Sequence, residues 1–134
     1  MHLTRTSEYA VEALAHMAKA GPDDAFVSHE VARANGIPER FLFVVLKRLV
    51  ARRLLHSKRG RGGGYGLARP ANQITLLEVL EAAGEPLVLP MGRADGGSET
   101  VGRLADILDT LAEAARRQLG QVTIADLADW KKGK

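Results

Sequence analysis

The segment from residue 38 to residue 69 constrains the fold of this chain more than any other. It holds seven Lys or Arg residues between Lys47 and Arg61, whereas no Asp or Glu occurs between Glu39 and Glu78. Its apolar residues still recur with the spacing of a folded helix. A folded surface with charge of one sign is typical of proteins that meet a polyanion. The segment therefore indicates a nucleic-acid-binding surface.

The residues around the start of this segment predict a helix-turn-helix. A helix is expected over residues 28–34, with Ser28 as its N-cap and with Asn35 and Gly36 ending it. The next helix begins near Pro38, because proline suits the first turn of a helix. Ser28 is also placed to donate to a DNA phosphate, and capping is the competing interpretation.

The helix that begins near Pro38 has an apolar face and a basic face. Its inward stripe consists of Leu42, Val45, Leu46 and Leu49. The residues largely outside this stripe are Arg40, Phe41, Phe43, Val44, Lys47 and Arg48. Phe41 and Phe43 cannot both join the stripe, so we expect one of them near DNA, with core packing as the alternative for each. A helix with this basic face fits a major groove about 12 Å wide.

A glycine-rich hairpin is predicted next, with strands over residues 54–58 and 65–68. Glycines at its tip permit positive φ and close backbone approach, which suits a wing lying along phosphates. A solvated basic turn is the competing interpretation, but the neighbouring basic helix favours DNA contact. We assign to the DNA-binding surface Ser28, Pro38, Glu39, Arg40, Phe41, Phe43, Val44, Lys47, Arg48, Lys58, Arg59, Gly60, Arg61, Gly62 and Gly63.

Helices are also predicted on both sides of this region. The first covers residues 6–19 and is capped by Thr6 or Ser7. After the hairpin, Thr75 and Glu78 form a capping box that opens a fourth helix, ending at Gly84. Residues 85–99 are rich in Gly and Pro and predict a loop.

The longest helix is predicted over residues 100–119. Five of its apolar residues step by three and four, which is the spacing of a coiled-coil seam: Val101, Leu104, Leu108, Leu111 and Ala115. The small domain before it is already complete and leaves little apolar surface for this helix to cover. A second copy of the chain is therefore the expected partner of the helix. Residues 121–130 predict a short strand, a turn and a last helical turn, with Trp130 as a packing anchor at the dimer surface.

Composition excludes several classes of protein. Residues 1–70 carry a charge balance of +6 and residues 71–134 a balance of −3, which separates a polyanion-facing half from the rest. The sequence has no cysteine, which excludes disulfides and thiol chemistry. Its four histidines are scattered, and no carboxylate pair suggests catalysis, so neither a metal site nor an enzyme is expected. No long apolar run or export signal is visible, and the cytoplasm is the expected location.

These elements predict a mainly α fold with a small β-hairpin wing. Residues 1–84 would form a winged helix-turn-helix domain, residues 85–99 a flexible loop, and residues 100–134 a dimerisation helix with a C-terminal segment.

Several stretches together resemble the Rrf2 family of bacterial winged-helix transcription regulators. They are LTRTSEYAVEAL, VSHEVARANGIPERFLFVVLKRLVARRLL, RGRGGGYGLARP and ITLLEVLEA, with TIADL near the end. The resemblance implies a homodimer on a roughly palindromic operator, with the third helix in the major groove and the wing in or beside the minor groove. It also implies that the long helix crosses its twin.

The sequence departs from the family pattern in its sensor region. Many members hold an iron–sulfur cluster on three cysteines before the long helix, whereas residues 85–103 offer Met91, Asp95, Ser98 and Glu99. Glu8 stands where some members supply an acidic ligand, but a carboxylate alone does not hold such a cluster. We therefore expect no cofactor. Phe43 and Val44 also replace residues that tend to be polar in the family, and Arg61 stands where proline is common.

The leading interpretation is a sequence-specific, homodimeric DNA-binding repressor. A winged-helix module that binds protein or RNA and regulates by contact is the alternative. A small molecule or partner protein is the expected effector, received by the loop at residues 85–99 and the groove beside the long helix, and constitutive repression without an effector is the alternative.

Overall fold

The structure is a computed structural model that describes residues 3–20, 24–60, 63–85, 87 and 97–129. Mainly helical elements surround one two-stranded antiparallel hairpin, which confirms the predicted fold class. In chain order they are α1 (Arg5–Ala18), α2 (Ser28–Asn35), α3 (Glu39–Ala51), β1 (Leu55–Lys58), β2 (Gly64–Leu67), a 3-10 turn (Ala71–Gln73), α4 (Leu76–Ala83), α5 (Glu99–Leu119) and α6 (Ile124–Ala128).

The caps of the first two helices differ from the prediction. Thr4 caps α1, because its hydroxyl accepts from the Ser7 amide at 3.3 Å, so the assignment of Thr6 or Ser7 was wrong. Val27 occupies the N-cap of α2, where Ser28 is already the first helical residue and no side chain caps the helix. The predicted end of α2 is confirmed, since Gly36 adopts the left-handed conformation at φ 64°.

The core lies where α1, α3 and α4 meet. The predicted stripe of α3 is confirmed, since its four residues are buried: Leu42, Val45, Leu46 and Leu49. They pack in one cluster with Leu14 and Met17 of α1 and Val79 of α4. A buried residue of this size contributes roughly 1.5–3 kcal/mol by leaving water, so this cluster accounts for much of the fold's stability.

The end of the described chain returns to this core. Ile124 of α6 is completely buried in the same cluster, and its amide donates to the carbonyl oxygen of Ile74 at 2.9 Å. The Leu76 amide donates to the carbonyl oxygen of Val122 at 2.8 Å. The predicted capping box at the start of α4 is confirmed, and a second box of Thr123 and Asp126 opens α6 beside it. The sequence did not predict that this segment packs on α1. Trp130 lies outside the described residues.

Glu85 ties the residues after α4 to the start of α1. Its Oε2 accepts from the Thr4 amide at 3.0 Å, from the Thr4 hydroxyl at 2.8 Å and from the buried Ser7 hydroxyl. Desolvation raises the pKa of this carboxyl, but the hydrogen bonds from Ser7 and Thr4 outweigh that effect and hold the pKa below its ordinary value. The charged form of Glu85 therefore stabilises the folded state.

We predict that Glu85→Ala lowers the free energy of unfolding by about 1–2 kcal/mol at neutral pH, because the buried Ser7 hydroxyl loses an acceptor. The folded-state pKa of Glu85 lies below its unfolded value, so its contribution is present above the unfolded pKa and is lost as the pH falls through the folded pKa. Urea unfolding at neutral and acidic pH measures both effects. Glu113→Ala removes an exposed carboxylate from α5 and serves as the control. A loss in Glu85→Ala that stays constant down to acidic pH would contradict the prediction.

Candidate nucleic-acid interface

The turn between α2 and α3 fixes how α3 is presented. Gly36 reverses the chain, and the following Ile37 is buried, with its amide donating to the carbonyl oxygen of Ala32 at 2.9 Å. Val31 and Ala32 anchor α2 in the same core. The helix-turn-helix therefore docks as one unit, with the apolar stripe of α3 inside and its opposite face outside.

The outward face of α3 combines large apolar side chains with basic ones. Phe41, Phe43 and Val44 are 47%, 45% and 49% exposed. Neither phenylalanine joins the core, and the expectation that one of them lies near DNA stays a prediction. Arg40 and Lys47 are exposed on the same helix.

Each basic side chain lies on a neighbouring ring. The Arg40 Cζ is 4.8 Å from the centroid of Phe41, and the Lys47 Nζ is 4.6 Å from the centroid of Phe43. Such cation–π contacts contribute about 0.5–1 kcal/mol at exposed sites. They favour the observed rotamers of these four side chains on the outward face.

An open groove of about 720 Å³ lies at the N-terminal end of α3. It is lined by residues of both helices, all of them predicted as DNA-binding: Ser28, Pro38, Glu39, Arg40 and Phe43. Glu39 is held by His29, whose Nδ1 is 3.1 Å from Glu39 Oε2. The structure thus brings together the predicted residues at the start of α3.

The Arg48 side chain contacts the C-terminal end of α4. Its Nη1 donates to the carbonyl oxygen of Ala83 at 2.8 Å, at the C-terminal end of α4. A cation there satisfies a helix-end carbonyl and interacts favourably with the helix dipole. The structure gives Arg48 a role in holding α4 against α3, and the DNA contact predicted for it stays a prediction.

The wing is formed by β1 and β2, which pair antiparallel from Leu55 with Leu67 to Lys58 with Gly64. Phe26 extends this sheet, since its backbone exchanges two hydrogen bonds of 2.7 Å with Tyr65. Gly64 has φ 151°, and a Cβ at this position would collide with the carbonyl oxygen of Phe26. The wing is therefore fastened to the loop before α2.

The basic tip of the wing is only partly described. Lys58, Arg59 and Gly60 are exposed, and the amide of Gly63 donates to the carbonyl oxygen of Gly60 at 2.9 Å. Arg61 and Gly62 lie outside the described residues. Lys58 and Arg59 are thus available to a partner from the same chain segment that presents α3.

The helix α5 exposes a separate apolar face. Three members of the predicted seam, Val101, Leu104 and Leu111, are 48%, 46% and 57% exposed. Leu108 is half-buried, as is Ala115, the fifth member of the predicted seam. Ile107 was missed by the sequence analysis and is the most exposed of the group at 59%. It lies three residues after Leu104 and four residues before Leu111, so the sequence contained this signal.

Two absences hold for the part of the chain that the structure describes. There, no group of three His, Cys, Asp or Glu side chains could hold a metal ion. Within the same ranges, no helix has both the length and the apolar character needed to cross a bilayer.

A helix-turn-helix with an outward recognition helix and an adjoining hairpin is a winged helix, a class of DNA-binding module. Comparison with known proteins carries the assignment further. A family model described as "Rrf2: Iron-dependent Transcriptional regulator" matches residues 3–130, and the chain belongs to the Rrf2 family. It is a DNA-binding transcriptional regulator, not an enzyme.

Relatives by sequence and by structure agree with this assignment. The Mycobacterium tuberculosis protein named "Putative HTH-type transcriptional regulator Rv1287" is 37% identical over 133 residues, which cover 96% of this chain and 81% of that protein. The solved structure of CymR, the global cysteine regulator of B. subtilis, has a TM-score of 0.78 at 22% identity and covers 98% of this chain and 99% of that one. The structure of T. potens IscR has a TM-score of 0.76 at 19% identity, with 99% and 94% covered. These structural matches show the fold.

We predict that Gly64→Ala destabilises the protein by about 1–3 kcal/mol, because the added methyl group forces the Phe26 carbonyl away from the wing. Affinity for duplex DNA should fall with it, since the wing loses its attachment. Thermal unfolding and fluorescence anisotropy with a labelled duplex measure the two effects.

Gly102→Ala on α5 is the matched control, because no atom lies within 4 Å of its added Cβ. It should stabilise the helix by up to about 1 kcal/mol and leave DNA affinity unchanged. Equal stability of the two variants would contradict the role assigned to Gly64.

Proposed function

We propose that the protein is a homodimeric repressor that binds a roughly palindromic operator and works without an iron–sulfur cluster. The observation that carries this proposal is the exposed face of α3, which joins Phe43, Val44 and Lys47 on a rigid helix beside a basic wing. A buried stripe on the opposite side holds that helix in place.

In the proposed complex α3 lies in the major groove and the wing lies along the backbone. Lys47 on the helix and Lys58 and Arg59 on the wing supply cations for phosphates, and no acidic residue occurs from residue 40 to residue 77 to oppose them. Side chains at the start of α3 meet base edges and supply sequence preference. In this proposal the affinity for DNA comes mostly from electrostatic attraction to phosphates. The preference among sequences comes from the few side chains at the start of α3.

Dimerisation is proposed through α5. This helix has 21 residues, about 32 Å of length, and its exposed apolar side chains have no cover from the described part of their own chain. Pairing with the same helix of a second copy would bury Val101, Leu104, Ile107 and Leu111 around a twofold axis. Such an axis orients the two recognition helices in opposite directions along the duplex. Two identical half-sites in opposite directions form a palindromic operator.

The proposal that the protein works without an iron–sulfur cluster follows from the ligands that such a cluster requires. Iron–sulfur clusters are held mainly by thiolates, and the sequence contains no cysteine. The family model is described as iron-dependent, but the residues of this chain do not fit an iron–sulfur cluster, and no step proposed for it involves one. The expected effector site at residues 85–99 lies largely outside the described residues and stays a sequence-based hypothesis.

We predict a steep salt dependence of DNA binding. If about six phosphates are neutralised, the logarithm of the association constant should fall against the logarithm of salt concentration with a slope of about −5. Titrations of a fragment from the protein's own promoter at several salt concentrations measure it, with an RNA of the same sequence as the comparison. A slope near zero, or preference for the RNA, would favour the contact-module alternative.

We predict that Ile107→Glu converts the dimer to a monomer, because it places a charge in the centre of the paired face. Operator affinity should fall with dimerisation. Sedimentation velocity measures the assembly state, and Gly102→Glu adds the same charge at an exposed position on the opposite side of α5 from Leu104 and Ile107 as the control. If Ile107→Glu remains dimeric, the proposed pairing face is wrong.

A further inference from the structure

The exposed apolar side chains of α3 need an explanation beyond phosphate binding. Phe43 and Val44 are adjacent in the chain, and each leaves nearly half of its surface in water. The helix has already filled its core stripe, so neither side chain is required for folding. Apolar groups on a basic surface do not attract phosphates, and their contribution must come from another part of a ligand.

The surroundings of these side chains favour DNA as the occupant. Lys47 lies over the ring of Phe43, and Arg40 is one helical turn before Val44 and lines the same groove as Phe43. Burying Phe43 and Val44 against an apolar protein surface would also desolvate these two cations, which is costly without acidic partners. In a DNA groove the cations reach phosphates while the apolar groups approach the bases.

The chemistry of the major groove then limits what Phe43 and Val44 can read. They carry no hydrogen-bond donor or acceptor, so they cannot distinguish the amino, carbonyl and ring-nitrogen groups of the base edges. The apolar feature that standard base pairs present in this groove is the C5-methyl group of thymine. The edge of the Phe43 ring and the methyl groups of Val44 provide an apolar surface that this thymine methyl group can contact.

We propose that Phe43 and Val44 read thymine C5-methyl groups in each half of the operator. Lys47 positions the Phe43 ring through its cation–π contact while its own charge faces the backbone. This inference rests on the proposed operator binding and names the base chemistry that the same surface recognises. It adds methyl burial by Phe43 and Val44 to the base contacts proposed for the start of α3.

The test uses operator duplexes obtained by selection from random sequence with the full-length protein. Each thymine of a half-site is replaced in turn by deoxyuridine, which removes the methyl group and leaves every hydrogen-bonding group in place. Affinity is measured by fluorescence anisotropy at one fixed salt concentration. Burying one methyl group corresponds to about a fourfold change in affinity, so at least one position should show a loss of that size.

Two variants connect the effect to α3. Phe43→Ala with Val44→Ala should bind thymine and deoxyuridine duplexes equally, because the methyl contact is already gone. Arg59→Ala should weaken both duplexes while keeping their ratio, since a wing cation contacts phosphate. Thermal unfolding should show both variants folded, as all three side chains are exposed.

The outcomes separate this inference from operator binding itself. Salt-dependent binding with no deoxyuridine effect at any position, or selected sites without thymine under α3, would overturn the methyl readout and leave operator binding intact. A deoxyuridine effect that persists undiminished in the double variant would also overturn it. Failure to bind any duplex would instead reject the function on which it rests.

Discussion

The fold depends on burying one stripe of α3. Leu42, Leu46 and Leu49 are completely covered and Val45 almost so, and they join α1, α4 and the returning α6 in one cluster. A helix turns by about 100° per residue, so fixing this stripe inward forces residues between its members outward. The interaction that stabilises the protein therefore also exposes Phe43, Val44 and Lys47. Stability and the proposed DNA recognition therefore belong to opposite sides of the same helix.

Side chains outside the core keep this helix in register with its surroundings. Arg48 joins α3 to the end of α4, and Glu85 joins the residues after α4 to the start of α1. The Phe26–Tyr65 pairing joins the wing to the loop before α2. The parts proposed to touch DNA are thus connected through the same small core, whereas α5 extends from it with its own apolar face. This arrangement separates the proposed reading surface from the proposed pairing surface.

Sequence patterns predicted those features that depend on neighbours within a few residues. Gly36 ends α2 and the Thr75–Glu78 box opens α4 as expected, since both act through backbone groups no more than four residues away. The cap of α1 was misplaced because several hydroxyls compete within one turn. Only the structure shows that Thr4, rather than Thr6 or Ser7, accepts the helix amide.

The sequence by itself determined the class of fold, the basic segment, the inward stripe of α3 and the absence of thiol ligands. These follow from periodicity, charge and composition, which need no knowledge of distant contacts. Tertiary structure decided that Arg48 serves α4, that Ile124 completes the core and that Ile107 is more exposed than Leu108 on α5. Each of these outcomes depends on which surfaces from remote parts of the chain meet, and that is set by the packing of the whole core.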